Sequence, residues 1–409
     1  MNIKKYFGLA ENFISYFLFK AADALIPLVV IKYLIDTVTF DNYGIYAFAY
    51  ALIFYFQNVI QFGFDLSAVR TISLIREDKK KLTQVYSDVF TSQIYLSLIS
   101  FIVLALLILF VPIIAKNYIV YCFFYILLIG ELLFPMWFFL GMEKMRFMTI
   151  VNVISKLTFA LLCILLIKTE SQYIYISLYH SIGFLLSGII AQIIVFRKFG
   201  IRFKFSKFSV VKSTIKDAWS AFLSMVSPSI YHNSSIFLVG VYGLPSYTGI
   251  IEIGTKVLGA FKILITVMTN VLFPFLNRNE SQRVTTRYLF LSFGFLLSLT
   301  MYFFSGFLIE LWLGIDDNSI EVIKVVKLLS PCPFLSSVVA AFGINGLMIL
   351  KKDRLYSRLI FIGAFLGLMV ALILIPNYHY IGGAIAIVTA LTIIASLVSV
   401  YFRKVMKRI

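Results

Sequence analysis

The sequence predicts an all-α membrane protein that crosses a lipid bilayer about twelve times. Of its 409 residues, 61% are hydrophobic and only 13% are charged, whereas a soluble domain carries about 25% charged residues. The apolar residues fall into stretches long enough for a helix to span the hydrocarbon core. Basic residues cluster in alternate gaps between these stretches, which is typical of a chain that passes back and forth across a membrane.

The predicted spans follow one another along the whole chain. A helical structure is expected for each, because only a helix satisfies every backbone N–H and C=O group within one membrane segment. None shows the alternating apolar and polar pattern of an outer-membrane barrel strand. The spans are 9–34, 43–64, 91–111, 118–140, 150–168, 173–196, 219–241, 247–273, 289–311, 325–350, 359–376 and 379–402.

The basic residues predict the orientation of the chain. With these spans, one side of the membrane holds 27 lysines and arginines and the other side holds 4. The positive-inside rule then places both termini in the cytoplasm. The net charge of +17 is concentrated in short loops beside apolar spans, which favours anionic membrane lipid as a partner and argues against nucleic acid.

An internal repeat is predicted from the order of the spans. A shift of 205 residues lays Tyr43-Gly44-Ile45 onto Thr248-Gly249-Ile250, where the second span of each half begins. This predicts an N-terminal six-helix lobe over 1–196, a basic cytoplasmic linker over 197–218 and a C-terminal six-helix lobe over 219–409, as in known transporters. The alternative is that any twelve-helix chain can be halved in this way.

The first span carries two charged residues near the middle of the bilayer. Lys20 and Asp23 lie three residues apart, so they share a helix face and can pair. Pro27 follows one turn later and favours a kink at the same depth. The pair is interpreted either as a structural ion pair or as part of a cavity that binds substrate charge or carries a proton.

The seventh span is the most polar of the set. Between Ser220 and Ser235 it contains several serines together with His232 and Asn233. A lipid-facing helix could not hold so many polar groups, so this segment is predicted to face a cavity or another helix. His232 alone is a weak signal, because an interior histidine is more often structural.

The eighth span contains Glu252, Lys256 and Lys262. At about 100° per residue, these side chains project within about one third of the helix circumference. Glu252 and Lys256 have the favourable i,i+4 order for an ion pair. The surplus positive charge predicts contact with an anion, which is either an acidic side chain from another helix or a substrate phosphate. Lys256 is the first candidate for phosphate contact and Lys262 is the second.

Other charged residues within spans are weaker candidates. Glu131 lies near mid-depth in the fourth span without a partner on its own helix, and it is a candidate proton or cation site. Lys32 and Lys156 lie near span ends and are expected to extend their amines to an interface. No nucleotide-binding loop, metalloprotease motif, C-x-x-C pair or nucleophile elbow occurs. The sequence therefore predicts a protein that is not an enzyme, with no catalytic residue, no cofactor and no metal site.

Several segments resemble the Wzx-type O-antigen flippases, in the polysaccharide-exporter branch of the multidrug/oligosaccharidyl-lipid/polysaccharide exporter superfamily. Residues 62–68 look like the family's GFxxxAT stretch, from which Val69 departs. Residues 134–145 are similar to its YPxWxFQGxEKM segment, with Leu140 where a glutamine is common. The further matching segments are Leu25-Ile26-Pro27-Leu28, Tyr33-Leu34, Asp41-Asn42-Tyr43-Gly44-Ile45-Tyr46, and Ser330-Pro331-Cys332-Pro333-Phe334 with Gly343-Ile344.

The resemblance implies a fold related to multidrug exporters and lipid II flippases, with two six-helix lobes around a cationic central cavity. It implies transport of an undecaprenyl-pyrophosphate-linked O-antigen repeat unit from the inner to the outer leaflet of the bacterial inner membrane. Partners would be this lipid-linked oligosaccharide and, beyond it, an O-antigen polymerase and a chain-length regulator. The headgroup is expected near Lys20, Lys256 and Lys262, with His232 and Asn233 also binding substrate, and Asp23, Glu131 and Glu252 are expected to couple an ion or to form ion pairs.

Three alternatives remain open. A cation-coupled drug or small-solute antiporter of related fold would share the same helices. An O-antigen polymerase is also polytopic, but such enzymes have a large periplasmic loop, and the longest outer gap here is only about 15 residues. A structural membrane scaffold is disfavoured by the ionisable residues at mid-depth.

Overall fold

The computed structural model describes residues 3–278 and 280–407 of the chain. Arg408, which the sequence places among the inner basic residues, lies outside this part. Helices joined by short connections make up the described residues, and no β-strand occurs among them. The helices are α1 (Ile3–Gln61), α2 (Phe64–Ile75), α3 (Lys79–Phe110), α4 (Pro112–Ala115), α5 (Tyr118–Leu133), α6 (Met136–Gly141), α7 (Met145–Leu166), α8 (Tyr175–Ile193), α9 (Phe208–Tyr242), α10 (Pro245–Arg278), α11 (Arg283–Leu313), α12 (Asp317–Leu329), α13 (Cys332–Val338) and α14 (Asp353–Met406).

Within the described chain, eight helical segments are long and apolar enough to cross a membrane. This confirms the predicted all-α, multi-pass architecture, whereas the number of twelve spans stays a prediction. Two long helices each contain two predicted spans with a sharp break between them. The breaks fall at Thr39 (φ 73°) in α1 and at His379 (φ 44°) in α14, and Pro376, just before the second, cannot donate a helical hydrogen bond.

The chain folds as two compact units. The first consists of Met1–Thr39 and Ala49–Met225, and the second of Phe40–Phe48 and Val226–Ile409. The short segment after Thr39 therefore belongs with the later half of the chain, although it precedes most of the first unit in sequence.

The core of the first unit contains large aromatic side chains with satisfied polar groups. Trp137 is fully buried, and its indole N–H donates to Gln93 Oε1 at 3.1 Å. The Tyr86 hydroxyl donates to Gln192 Oε1 at 2.6 Å. Because both of these buried donors have an acceptor, the two hydrogen bonds fix how α3, α6 and α8 pack.

The GFxxxAT-like stretch forms a sharp turn between α1 and α2. Phe62 and Gly63 both have positive φ, at 42° and 70°. A Cβ on Gly63 would lie only 2.4 Å from the Phe222 backbone nitrogen, so glycine permits a close approach to α9. Phe62 stacks on the Phe222 ring, with centroids 4.4 Å apart. The shape of this turn thus rests on packing, because neither Phe62 nor Gly63 carries a charge.

In the second unit, the segment Phe40–Phe48 packs closely against the start of α10. A Cβ on Gly44 would lie 1.8 Å from the Pro245 carbonyl oxygen, so the two backbones touch. Asp41 Oδ1 accepts a hydrogen bond from the Ser246 backbone N–H at 3.1 Å, which satisfies a free donor at a helix start. Gly44 and Gly249, which the predicted repeat relates, approach each other here, and a Cβ on Gly249 would lie 3.7 Å from Gly44 Cα.

The Ser330–Phe334 stretch forms the break between α12 and α13 and the first turn of α13. Phe334 N–H donates to Ser298 Oγ at 2.9 Å, which ties the start of α13 to α11. A π-helical segment, Val339–Met348, continues from α13. Such a segment is uncommon and often occurs near functional sites.

Candidate functional site

A buried carboxylate in the first unit is held by two glutamines. Glu131 lies on α5 with 8% of its surface exposed. Gln57 Nε2 donates to Glu131 Oε2 at 2.8 Å, and Gln61 Nε2 donates to Oε1 at 2.6 Å. Gln57 and Gln61 are one turn apart on α1, so both side chains reach the same carboxyl group. Hydrogen bonds to a charged group contribute about 1.5–3 kcal/mol each, and these offset part of the cost of burying the carboxylate.

Close helix packing fixes the position of Glu131. A Cβ on the preceding residue, Gly130, would lie 2.5 Å from the Phe184 backbone, so α5 is pressed against α8. Gly188 on α8 in turn approaches the Gly130 carbonyl oxygen. With α8 covering that side of the helix, Glu131 projects toward α1.

An ion pair lies beside this carboxylate. Lys156 Nζ on α7 is 3.5 Å from Asp23 Oδ1, and Asn152 Nδ2 donates to the same oxygen at 3.3 Å. Lys156 also lies over the Phe184 ring, 5.2 Å from its centroid. The expectation that Lys156 extends to an interface is wrong, because its side chain is only 11% exposed and its amine is paired inside the unit. Lys32, in contrast, is partly exposed and pairs with Asp36 at 2.8 Å.

Asp65 is a third carboxylate of the same group and, like Glu131, it is buried. It is 9% exposed, in the first turn of α2, and the charge of Glu131 acts on it. The Lys20 charge acts on Asp65 with the opposite sign, and Lys156 and Asp23 act on Glu131. The group therefore contains three carboxylates and two lysines.

Three acceptor oxygens in this group have no hydrogen-bond partner among the described residues. They are Gln57 Oε1, Gln61 Oε1 and Asp65 Oδ1. A buried acceptor without a donor is costly, and a proton donor or a cation would relieve that cost. The arrangement can thus hold one additional positive charge.

The second unit brings together the predicted residues of α9 and α10. Lys256 Nζ lies 3.2 Å from Glu252 Oε1, in the i,i+4 arrangement that the sequence indicates. Glu252 is 7% exposed. The charges of Lys262 and Lys256 both act on the His232 imidazole of α9. Asn233, which follows His232 on α9, is buried.

Serines of α9 are buried around these residues. Ser227, Ser229, Ser234 and Ser235 are each at most 9% exposed, and Ser235 Oγ donates to the Tyr231 carbonyl oxygen at 2.7 Å. These serines of α9 lie in the interior of the protein, as the density of polar residues predicts. The substrate-binding role of the residues on α9 and α10 stays a prediction.

The predicted site residues therefore fall in two groups. Lys20, Asp23 and Glu131 belong to the first unit, whereas His232, Asn233, Glu252, Lys256 and Lys262 belong to the second. The residues that the sequence did not single out for binding or coupling are Gln57, Gln61, Asp65, Asn152 and Lys156. The spacing of two glutamines by four residues within an apolar span was the signal that could have identified the Glu131 partners.

A protein-family comparison matches most of the chain. The family described as "Polysaccharide biosynthesis protein" matches residues 9–280. The "Putative O-antigen transporter" of Escherichia coli (strain K12) is 26% identical over 412 residues, which cover 98% of each chain. The protein of the same name from Shigella dysenteriae is 24% identical over 389 residues and covers 93% of this chain and 96% of the relative. These relatives are named as transporters, in agreement with the prediction that the chain is not an enzyme.

Solved structures with the same fold are membrane exporters. A multidrug resistance MATE family transporter of the MOP superfamily aligns with a TM-score of 0.73 at 12% identity, over 95% of each chain. The lipid II flippase MurJ aligns with a TM-score of 0.70 at 14% identity, over 97% of this chain and 87% of that one. The predicted relation of the fold to multidrug exporters and lipid II flippases is confirmed.

Proposed function

We propose, from the premise that the chain belongs to the polysaccharide biosynthesis protein family, that it is a flippase for lipid-linked oligosaccharides in the inner membrane. The observation that carries the proposal is the surplus positive charge of α10, where Glu252 pairs with Lys256 and Lys262 adds a second cation, and both lysines act on His232 of α9. A soluble drug does not require such a charge, whereas a phosphate-linked lipid does. The names of the two curated relatives support the same function.

The substrate in this proposal is an undecaprenyl-pyrophosphate-linked O-antigen or a similar repeat unit, used in lipopolysaccharide biosynthesis. It moves from the cytoplasmic to the periplasmic leaflet. Both termini of the protein lie in the cytoplasm, as the distribution of basic residues favours. The O-antigen polymerase and the chain-length regulator act on the product and are candidate partners.

The lysines of α10 bind the pyrophosphate. Glu252 neutralises much of the charge of Lys256 in the resting state, and Lys262 supplies charge that Glu252 does not neutralise. Lys20, which belongs to the first unit, stays a predicted substrate-binding residue. His232 and Asn233 donate hydrogen bonds to the sugar or phosphate oxygens, while the polyprenyl chain stays in lipid.

Transport proceeds by alternating access of two six-helix lobes, over 1–196 and 219–409, joined by the linker 197–218. The group around Glu131 couples this motion to a cation. With three carboxylates and two lysines, it is neutral when one proton or one monovalent cation is bound. A neutral buried group is far less costly than a charged one, so cation binding can shift the equilibrium between the two states.

The test of the substrate site is removal of its charge. The double variant Lys256→Ala/Lys262→Ala should lose most surface O-antigen in a host whose own flippase is deleted. A matched control is Lys327→Ala/Lys407→Ala, which removes the same charge from exposed positions of the second unit. Undiminished display by the first variant at equal protein level would disprove the site assignment.

The test of coupling is Glu131→Gln, which keeps the shape of the side chain and removes its charge. In everted vesicles, an imposed proton or sodium gradient should accelerate transport by the wild-type protein. The variant should transport at the rate seen without a gradient. If it responds to the gradient like the wild type, the coupling role of Glu131 is wrong, while the substrate site remains untouched by that result.

A further inference from the structure

The segment between α8 and α9 is an extended strap, residues 199–207, that runs along α3. It contains no regular secondary structure. The Lys204 backbone N–H donates to Ser87 Oγ at 3.2 Å, and the Ser206 backbone N–H donates to Thr91 Oγ1 at 3.2 Å. These contacts hold the strap to α3, so it is a fixed surface rather than a free linker.

One side of the strap is packed into the first unit. Ile201 is 2% exposed, and the Phe203 ring lies edge-on to Phe90 with centroids 5.2 Å apart. Ser206 Oγ donates to Asp88 Oδ1 at 2.5 Å. Ile201 and Phe203 alternate with the exposed Arg202 and Lys204, as in an extended chain with one buried side, whereas Ser206 follows three residues after Phe203.

The other side of the strap is basic and aromatic. Arg202, Lys204 and Lys207 are exposed. Phe205 is 73% exposed and Phe208, the first residue of α9, is 66% exposed. Phe205 departs from the alternation. Its apolar ring is exposed, and it lies between the cations Lys204 and Lys207 in sequence. Exposed aromatic rings among cations are typical of surfaces that lie at a membrane interface.

The segment that contains the strap is basic, although Asp88 of α3 contacts Ser206 and Asp217 follows the segment. Seven basic residues and no acidic residue occur between residues 197 and 216. Lys212 and Lys216 continue the exposed basic surface onto the first turns of α9, and Trp219 follows, 51% exposed. The strap touches α3 at Thr91, where the third predicted span begins, so this surface lies at the expected edge of the bilayer.

We propose that the surface formed by Arg202, Lys204, Phe205, Lys207 and Phe208 binds the headgroups of anionic phospholipids. The cations contact lipid phosphates, and the two rings enter the boundary between headgroups and acyl chains. The occupant is bulk phospholipid and not the transported lipid, because the surface is open and its side chains are widely exposed. The inference does not depend on the direction of transport or on its coupling.

The test uses the full chain, purified in detergent and titrated with phosphatidylglycerol or phosphatidylcholine while its melting temperature is measured. Phosphatidylglycerol should raise the melting temperature more than phosphatidylcholine does. The Lys204→Gln/Lys207→Gln variant should require about 30-fold more phosphatidylglycerol for the same effect, since each basic residue near an anionic surface contributes about fivefold. Lys116→Gln/Lys327→Gln removes two exposed lysines elsewhere and should respond as the wild type does.

Two further arms separate the alternatives. Phe205→Ser leaves the charge unchanged and should weaken the response to phosphatidylglycerol without changing the melting temperature in phosphatidylcholine. If the lysine variant is less stable in both lipids, its response does not report lipid binding alone, and the Phe205→Ser variant then tests the proposal. Equal responses of all variants to phosphatidylglycerol would overturn the proposal. Competition by inorganic pyrophosphate at concentrations that leave the control variant unaffected would overturn the choice of phospholipid and assign the surface to the substrate headgroup.

Discussion

Substitution of Gly44 by alanine should destabilise the second unit strongly. The added Cβ would lie 1.8 Å from the Pro245 carbonyl oxygen and 2.4 Å from its carbonyl carbon. Ordinary contact distances are about 3.5 Å, so the two backbones must separate by roughly 1.7 Å. No side chain can rotate to relieve this overlap, because the atoms on the α10 side belong to the backbone.

The expected loss is about 3 kcal/mol, at the upper end of the range for overpacking. The same movement would weaken the hydrogen bond between Asp41 and the Ser246 backbone N–H. The measurement is the temperature at which half of the purified protein remains monodisperse after heating. A second readout is surface O-antigen at equal protein level.

Gly259→Ala is the matched control, because it makes the same substitution on α10. A Cβ on Gly259 would meet nothing within 4 Å. Alanine favours a helix over glycine by about 0.5–1 kcal/mol, so this variant should be as stable as the wild type or more stable. If Gly44→Ala and Gly259→Ala have the same melting temperature, the close contact of the two backbones is refuted.

Two further predictions concern the first unit. Trp137→Phe removes the donor to Gln93, a fully buried acceptor, and should lower the free energy of unfolding by about 1–3 kcal/mol in thermal denaturation. The control Trp219→Phe, at an exposed position, should change it by less than about 0.5 kcal/mol. Equal losses of stability in the two variants would contradict this account. Hydrogen bonds from the Lys81 backbone hold the pKa of Asp78 below its usual range, so the carboxylate stabilises the start of α3 above pH about 4 and this contribution is lost as the pH falls through the lowered pKa. Asp78→Ala should therefore melt below the wild type at neutral pH, with a gap that narrows on acidification, and a gap that is constant with pH would disprove the role of the charge.

Features that depend on neighbours along one helix could be predicted from the sequence. The helical, multi-pass fold follows from span length and hydrophobicity, because lipid leaves few alternatives for the backbone. The pairing of Glu252 with Lys256 follows from their spacing by four residues on α10. The interior position of the α9 serines follows from the cost of polar groups in lipid.

Features that depend on which helices are adjacent could not be predicted in this way. Glu131 has no partner on its own helix, and its two glutamines come from a helix about 70 residues earlier. Lys156 was assigned to an interface from its place near a span end, whereas Asp23 draws it inward. A single sequence gives the spacing of residues along each helix. It does not give which helices are adjacent, because chains of similar composition can pack their helices in different ways.

The assignment of Phe40–Phe48 to the second unit has a consequence for dissecting the protein. The polypeptide passes from one unit to the other after Thr39, again after Phe48 and once more after Met225. A protease cut in the exposed strap severs none of these passages, since the strap lies wholly within the first unit. A fragment of residues 1–225 would contain Phe40–Phe48 without the second unit, against which this segment packs. The two units should therefore be expressed together.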